Sequence, residues 1–308
     1  MKKILIGIYT MLLLTSVAVP QEVNGKELSR KSEFKKELSK EFAISANGKV
    51  SVTGKYGNLN VSTWEKNKAK FDVKIIVKAS NKAKADKMFE RISINFSNGK
   101  DYAKALFDVK EASSWRDYKG VSYQIHYEIK IPAGSSVDLY NKYGNIHLTD
   151  IKGSAKIENK YGNIKTGDIG KDVNLQLGYG SADLGSVRNL NVEIKYSKLD
   201  VNSTQDIKIE SKYSQIYVDK ARDIKSESKY DKFYLGDIHS IRSYGKYDNF
   251  KIKSLHNLDG TGKYSDYDIK NLYGKVDLDM KYGDAVIHKV HNTYQGINFK
   301  GEYSDLHV

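Results

Sequence analysis

The residues of this sequence most suited to binding chemistry are lysines that recur at a regular spacing. A lysine directly precedes a tyrosine at Lys142, Lys160, Lys195, Lys212, Lys229, Lys246, Lys263 and Lys281. Aligned ammonium groups could bind an anionic polymer such as lipopolysaccharide or an acidic glycan. We assign that candidate site to Lys195, Lys212, Lys229, Lys246 and Lys263. Glutamates stand two residues before some of these lysines, at Glu158, Glu193, Glu210 and Glu227. The same face could therefore be a self-neutralising, solvated surface, as most runs of charge are.

No other group of residues has the spacing of a catalytic or metal site. The 308 residues include no cysteine, which excludes a disulfide scaffold, a thiolate zinc site and a thiol nucleophile. The seven histidines are dispersed, and the nearest pair, His288 and His291, has no carboxylate or cysteine placed to complete a zinc site. Nucleophile elbows, Walker loops and dinucleotide-binding fingerprints are also missing. The sequence predicts a protein that is not an enzyme and that uses no metal or cofactor.

The charge balance indicates which kind of partner to expect. Lysine and arginine total 51 against 38 acidic residues, giving a formal net charge of +13, and only 6 of the 51 are arginine. Nucleic-acid sites favour the planar fork of arginine, whereas lysine suits solvated surfaces. We therefore expect an anionic polysaccharide or another envelope polymer as partner, and no nucleic acid.

The first residues predict export. Lys2 and Lys3 precede an apolar run from Ile4 to Leu14, and small residues follow at Ser16 and Ala18. This pattern is typical of a secretory signal peptide over residues 1–18. We expect an extracytoplasmic protein, in the periplasm or at the cell surface, with no transmembrane segment after cleavage. Residues 19–41 are assigned to a leader.

The elements that would position the lysines come from a tyrosine repeat. The repeated tyrosines are Tyr56, Tyr143, Tyr161, Tyr179, Tyr196, Tyr213, Tyr230, Tyr247, Tyr264, Tyr282 and Tyr303, and most are 17 or 18 residues apart. Within each repeat the apolar residues alternate with polar ones, which indicates strands. The repeat predicts an all-β fold, a parallel β-solenoid (β-helix or β-roll) of 17–18-residue coils. We expect the tyrosine to lie on the inward face and the residue after it, often glycine, serine or aspartate, to make the bend through a left-handed backbone.

Side-chain volumes support an interior shared within each coil. Ser226 and Ser228 accompany Phe233, Ser243 and Gly245 accompany Phe250, and Gly260 and Gly262 accompany Tyr267. Small residues on one side are thus matched by a large residue on the other, as a constant packing density requires. We expect Phe233, Phe250 and Tyr267 to form a buried aromatic ladder.

The repeat is interrupted once. We assign residues 42–63 to the first coil, residues 64–134 to an inserted cap and residues 135–308 to the remaining coils. The insertion predicts strands at 71–77, 92–96, 105–109 and 121–131 and a short amphipathic helix at 81–91. A solenoid exposes unpaired strand edges at its ends, and a cap of this kind would cover one of them.

These residues also carry a resemblance. Lys55-Tyr-Gly-Asn58 is followed by Trp64, by the predicted strands and helix, and then by Ile131-Pro-Ala-Gly134, which leads into Val137-Asp-Leu139 and further Lys-Tyr-Gly-Asn repeats. Over about residues 40–308 the chain resembles the putative-adhesin family of β-strand repeat proteins common in Bacteroidetes, which is related to the head domain of auto-transporter adhesins. The resemblance implies a β-solenoid that is a non-enzymatic, adhesin-like scaffold or binding protein of the cell envelope. Unlike some relatives, this chain has no lipoprotein cysteine.

Two other functions stay open. A polysaccharide-degrading enzyme would need an acidic cluster in a lateral groove, and an envelope-stress accessory protein would be encoded beside a sigma factor and its anti-sigma partner. The turns between the predicted strands are too short to build the cleft of a pectin-cleaving β-helix. The sequence therefore favours the binding scaffold over the enzyme.

Overall fold

The chain is built almost entirely from β-strands. The computed structural model describes residues 31–110 and 119–308, so the predicted signal peptide and the first part of the predicted leader lie outside the described residues. The elements are β1 (Ser32–Ala43), β2 (Lys49–Thr53), β3 (Leu59–Trp64), β4 (Lys68–Ala79), α1 (Lys82–Arg91), β5 (Ile92–Gly99), β6 (Tyr102–Val109), β7 (Ser122–Pro132), β8 (Ser136–Lys142), β9 (Ile146–Leu148), β10 (Ala155–Lys160), β11 (Ile164–Thr166), β12 (Val173–Gly178), β13 (Ser181–Lys195), β14 (Lys198–Lys212), β15 (Gln215–Lys229), β16 (Lys232–Lys246), β17 (Asn249–Lys263), β18 (Asp266–Leu272), β19 (Lys275–Lys281), β20 (Ala285–Ile287), β21 (Gly296–Glu302) and β22 (Leu306–His307).

Successive coils pair in parallel, each residue with the equivalent residue of the next coil. Along β14 to β17, Leu199 pairs with Ile216, which pairs with Phe233, which pairs with Phe250. The first coil joins the same array across the insertion, because β2 pairs with β8 through Val50 and Val137. The predicted parallel β-solenoid is confirmed.

The inward positions form continuous apolar ladders, and the predicted volume compensation is confirmed for the coil of Gly260, Gly262 and Tyr267. Phe233, Phe250 and Tyr267 are buried and stacked, with ring centroids 4.3 and 4.7 Å apart. A Cβ added to Gly260 would lie 3.1 Å from the Tyr267 hydroxyl, so this glycine makes room for the ring. Gly245 differs, because the space beside it holds the carboxyl group of Asp248 and not the Phe250 ring.

The insertion extends the sheet beyond the first coil. Strands β6 and β7 pair in parallel with β2 and β3, on the edges that β8 and β9 leave free. Strand β4 pairs antiparallel with β7, β1 with β4 and β5 with β6. Helix α1 begins after Asn81, whose side chain accepts a hydrogen bond from the backbone N–H of Lys84.

The predicted leader needs a correction. Its described part from Ser32 onward is strand β1, which pairs with β4 along its whole length, from Ser32 opposite Ala79 to Ala43 opposite Lys68. The sequence signal is weak because most of its side chains are polar and exposed, while Phe34, Leu38 and Phe42 contact the core at every fourth residue. This spacing hides the period of two that indicates a strand.

The corner of each coil also differs from the prediction. All eleven repeated tyrosines have a left-handed backbone, with φ between 52° and 62°, and the residues after them do not. Such a φ is costly for a residue with a side chain. It is supported here by the next coil, as when the backbone N–H of Tyr143 donates to the Lys160 carbonyl at 2.9 Å.

Glycine follows some tyrosines for a different reason than backbone conformation. A Cβ at Gly144 would collide with the carbonyl group of Gly57, and one at Gly162 with the carbonyl group of Gly144. These glycines are therefore needed for the close approach of one coil to the next.

Candidate binding ridge

The tyrosine ladder, which is the set of eleven repeated tyrosines, lies on the outside of the solenoid. Its rings stack in sequence with centroids 4.7–5.2 Å apart and planes within 12° of parallel. From Tyr143 onward each tyrosine is exposed. The prediction that they face inward is wrong, because the left-handed backbone turns each ring outward at the corner. The ladder presents ring edges and hydroxyl groups, while neighbouring rings cover most ring faces.

The lysine row runs beside this ladder on the preceding residues, Lys142, Lys160, Lys195, Lys212, Lys229, Lys246, Lys263 and Lys281. Parallel pairing places the five candidate lysines on consecutive coils, with Lys195 opposite Lys212 and so on to Lys263. Some ammonium groups lie over the adjoining rings, with Nζ 5.0 Å from the Tyr230 centroid and 5.5 Å from that of Tyr264. The structure therefore brings all five predicted residues together in one line.

Glutamates form ion pairs with only some members of the lysine row. Lys195 pairs with Glu193 at 2.8 Å, a contact that raises the pKa of this lysine, and Lys160 lies 3.7 Å from Glu158. Glu210 instead pairs with Lys208 at 2.6 Å. Within the described residues, no carboxylate forms an ion pair with Lys212, Lys229, Lys246 or Lys263. We call these four residues the unpaired lysines.

The tyrosine ladder and the lysine row together form the ridge. Beneath it lies a buried polar ladder that the sequence analysis does not predict. The backbone N–H of Ser214 donates to the Asp231 carboxylate, and that of Asp231 to Asp248 Oδ1 at 2.8 Å. Ser211 and Ser228 donate from the other side, each at 2.8 Å. The sequence does contain a signal for this ladder. A serine stands two residues before the tyrosine of one coil, and an aspartate directly follows the tyrosine of the next coil.

Burial governs the acid chemistry of this ladder. It raises the pKa of Asp231, and it raises the pKa of Asp248 to about 7, with the neighbouring Asp231 adding to the effect. Both side chains are almost fully buried. They therefore brace the corners of the coils and offer no carboxylate to a substrate.

The histidines do not form a metal site. His288 Nε2 lies 2.9 Å from Asp268, and His291 Nε2 lies 3.2 Å from Asn271, so the nearest pair in sequence has separate partners. The His239 and His256 rings lie 4.9 Å apart and are tilted by 38°, and Tyr273 separates His256 from His291 by stacking on both. Among residues 31–110 and 119–308, no three histidine or acidic side chains are grouped closely enough to hold a metal ion.

Comparison with known proteins gives structural matches only. No family model and no curated protein matches the chain. A "putative cell adhesion protein" from Clostridium sporogenes is 12% identical, with a TM-score of 0.39, over 60% of this chain and 99% of its own. A "putative adhesin" from Parabacteroides distasonis is 11% identical, with a TM-score of 0.34, over 89% of this chain and 97% of its own.

A "putative lipid binding protein" from the same species is 10% identical, with a TM-score of 0.35, over 88% of this chain and 96% of its own. These likenesses carry no argument about what this chain binds. The β-solenoid that the resemblance implies is confirmed by the parallel pairing of the coils. No described helix is long and apolar enough to cross a membrane.

Proposed function

We propose that this protein is an exported, non-enzymatic binding scaffold whose lysine row holds an anionic polymer, an acidic glycan or an envelope polymer such as lipopolysaccharide. The observation that carries the proposal is the run of four unpaired lysines on consecutive coils. Adjacent strands lie about 4.8 Å apart, and two ammonium groups at that distance repel by roughly 1 kcal/mol even in water. An anionic chain laid along the row would relieve this repulsion.

The geometry favours a polymer over a small anion. The unpaired lysines form an open line, and each offers one weak, solvated contact. Several such contacts become strong only when the anions are linked, because each binding event after the first is then intramolecular. A linear polymer with regularly spaced anions meets this condition.

The acidic residues support a binding role. Asp231 and Asp248 are covered by the coils, and the exposed Glu193 and Glu210 are engaged by lysines. The exposed Glu227 lies beside Glu210 in the next coil, on the same face. A glycan-cleaving site would need two carboxylates facing one bond from opposite sides. We place the scaffold outside the cytoplasm because of the predicted signal peptide at residues 1–18.

Charge reversal tests the proposal. The triple variant Lys212→Glu, Lys229→Glu, Lys246→Glu should lose retention on an acidic-glycan or lipopolysaccharide column. Wild-type retention should weaken steeply with salt, because the contacts are exposed and the screening length is about 10 Å at 0.1 M salt. Circular dichroism and melting should change little, because the apolar ladders are untouched.

A matched control separates the row from net charge. Lys220, Lys232 and Lys251 are exposed lysines of the same coils that lie off the row and form no ion pair with a described carboxylate. Their reversal changes the charge equally and should leave most of the retention. Equal losses in both triple variants would contradict a role for the row. If the wild-type protein is retained on no anionic polymer at low salt, the proposal is wrong and the lysine row is a solvated surface.

A further inference from the structure

The lysine row has one missing member. Gly178 stands between Lys160 and Lys195 in the parallel register, where a lysine would continue the line. A depression of about 280 Å³ lies at this position of the ridge. We call it the Gly178 notch, and it is lined mainly by Glu158, Lys160, Gln176, Gly178, Glu193 and Lys195.

The backbone does not need a glycine at this position. Gly178 is not among the residues with positive φ, and a Cβ added to it would meet only the Cγ atom of Lys160, at 4.0 Å. A Cβ at Gly162 or Gly180 would instead collide with a backbone carbonyl group. Glycine within a strand costs roughly 0.5–1 kcal/mol relative to alanine. Glycine leaves this position of the row without a side chain between Lys160 and Lys195.

The charges around the notch are balanced. Lys195 is paired with Glu193, and Lys160 lies beside Glu158. The residue between the two glutamates is the uncharged Gln176, which pairs with both in the parallel register. This stretch therefore differs from the unpaired lysines that begin two coils later.

The lining combines hydrogen-bonding groups with aromatic edges. Ammonium groups and an amide can donate to hydroxyl groups, and carboxylates can accept from them. The adjoining Tyr179 is 53% exposed, more than any other ladder tyrosine except Tyr303 at 77%. Small-molecule sites usually measure about 300–1,000 Å³, and the notch, at about 280 Å³, lies just below that range, a size suited to a single ring and not to a larger ligand.

We infer that the Gly178 notch is a subsite for one uncharged sugar ring of a glycan whose acidic groups lie on the unpaired lysines. This subsite rests on the proposed function. A pyranose matches the lining because hydroxyl groups surround its rim and its faces are apolar. Balanced charges favour an uncharged ring here over an acidic one. The preferred ligand is then a mixed glycan, in which acidic and neutral sugars share the chain.

The variant Gly178→Lys separates the subsite from simple charge attraction. It fills the notch and adds a cation to the row, so charge alone predicts equal or tighter binding. The probes are hyaluronan, in which neutral and carboxylate-bearing sugars alternate, and alginate, in which every sugar carries a carboxylate. We expect hyaluronan to bind about tenfold more weakly to the variant, corresponding to about 1.4 kcal/mol. Alginate should bind the variant as well as wild type, or more tightly.

The control variant is Asn174→Lys, which adds the same charge on the same strand at an exposed position outside the notch lining. It should bind both glycans at least as well as wild type, and both variants should keep the wild-type melting temperature. If Gly178→Lys binds hyaluronan as well as wild type does, the subsite is refuted while the lysine row stands. The same holds if wild type binds alginate alone. If wild type binds neither glycan but is retained on lipopolysaccharide, the subsite is refuted while the lysine row stands. If wild type is retained on no anionic polymer, the lysine row fails and the subsite fails with it.

Discussion

Replacing Phe250 with alanine should lower the free energy of unfolding by about 3–5 kcal/mol, whereas Lys246→Ala should lower it by less than about 1 kcal/mol. Phe250 is buried and stacked between Phe233 and Tyr267, so its removal opens a cavity within three coils. Lys246 is exposed and forms no ion pair with a described carboxylate. Denaturant titrations of both variants at one pH measure the difference.

The interior assignment of Phe250 depends on that difference. Equal effects would mean that the ring does not contribute to the core. The aromatic Phe250→Tyr is a further check, because Tyr267 occupies the equivalent position in the next coil and its hydroxyl reaches Ser243 Oγ at 2.8 Å. At position 250 the equivalent residue would be Ser226, whose Oγ is buried without a hydrogen-bond partner. Phe250→Tyr should therefore cost far less than Phe250→Ala.

The second large effect concerns Asp248 and pH. Its pKa is raised from 3.8 to about 7 by burial, so the folded protein resists ionisation that the unfolded chain accepts. Both states hold the proton below about pH 4, and stability should fall as pH rises from there to about 7 and then level off. The difference between the two pKa values corresponds to about 4 kcal/mol as an upper bound.

Asp248→Asn should remove the fall in the free energy of unfolding between about pH 4 and pH 7, because an amide does not ionise. Its amide oxygen can still accept from the backbone N–H of Asp231, and its NH2 group can donate to the Ser228 hydroxyl. We expect the variant to be more stable than wild type at pH 8, with the advantage shrinking towards pH 4. Urea titrations at pH 4.5, 6 and 8 measure it, with the exposed Asp219→Asn as control. A variant that is less stable than wild type at pH 8 would show that the carboxylate is ionised without penalty.

The sequence predicts the ladders well because parallel pairing repeats one environment in every coil. Phe233, Phe250 and Tyr267 are recognisable as one column since each is preceded by small residues at fixed offsets. The lysine row follows from the same register. A pattern of this kind depends only on which positions face inward, and alternation reveals that directly.

The corner and the ion pairs could not be predicted in the same way. Alternation indicates that the chain bends near each tyrosine, but the choice between the tyrosine and the next residue depends on contacts with the neighbouring coil. Glycine after tyrosine suggests a left-handed residue, whereas Gly144 is needed for space beside Gly57. Likewise, Glu210 has lysines two residues away on both sides, and only the fold shows that it pairs with Lys208.

The in-register pairing of β14 to β17 has a consequence for how this protein can evolve. Each coil there contacts mainly the coils before and after it, and equivalent residues are 17 positions apart. Duplicating 17 residues would insert one more coil without a new loop, and it would add one tyrosine and one lysine to the ridge. The polymer affinity that we propose for the lysine row could thus change in steps of one coil, by copying a short stretch of gene, while every existing contact keeps its geometry.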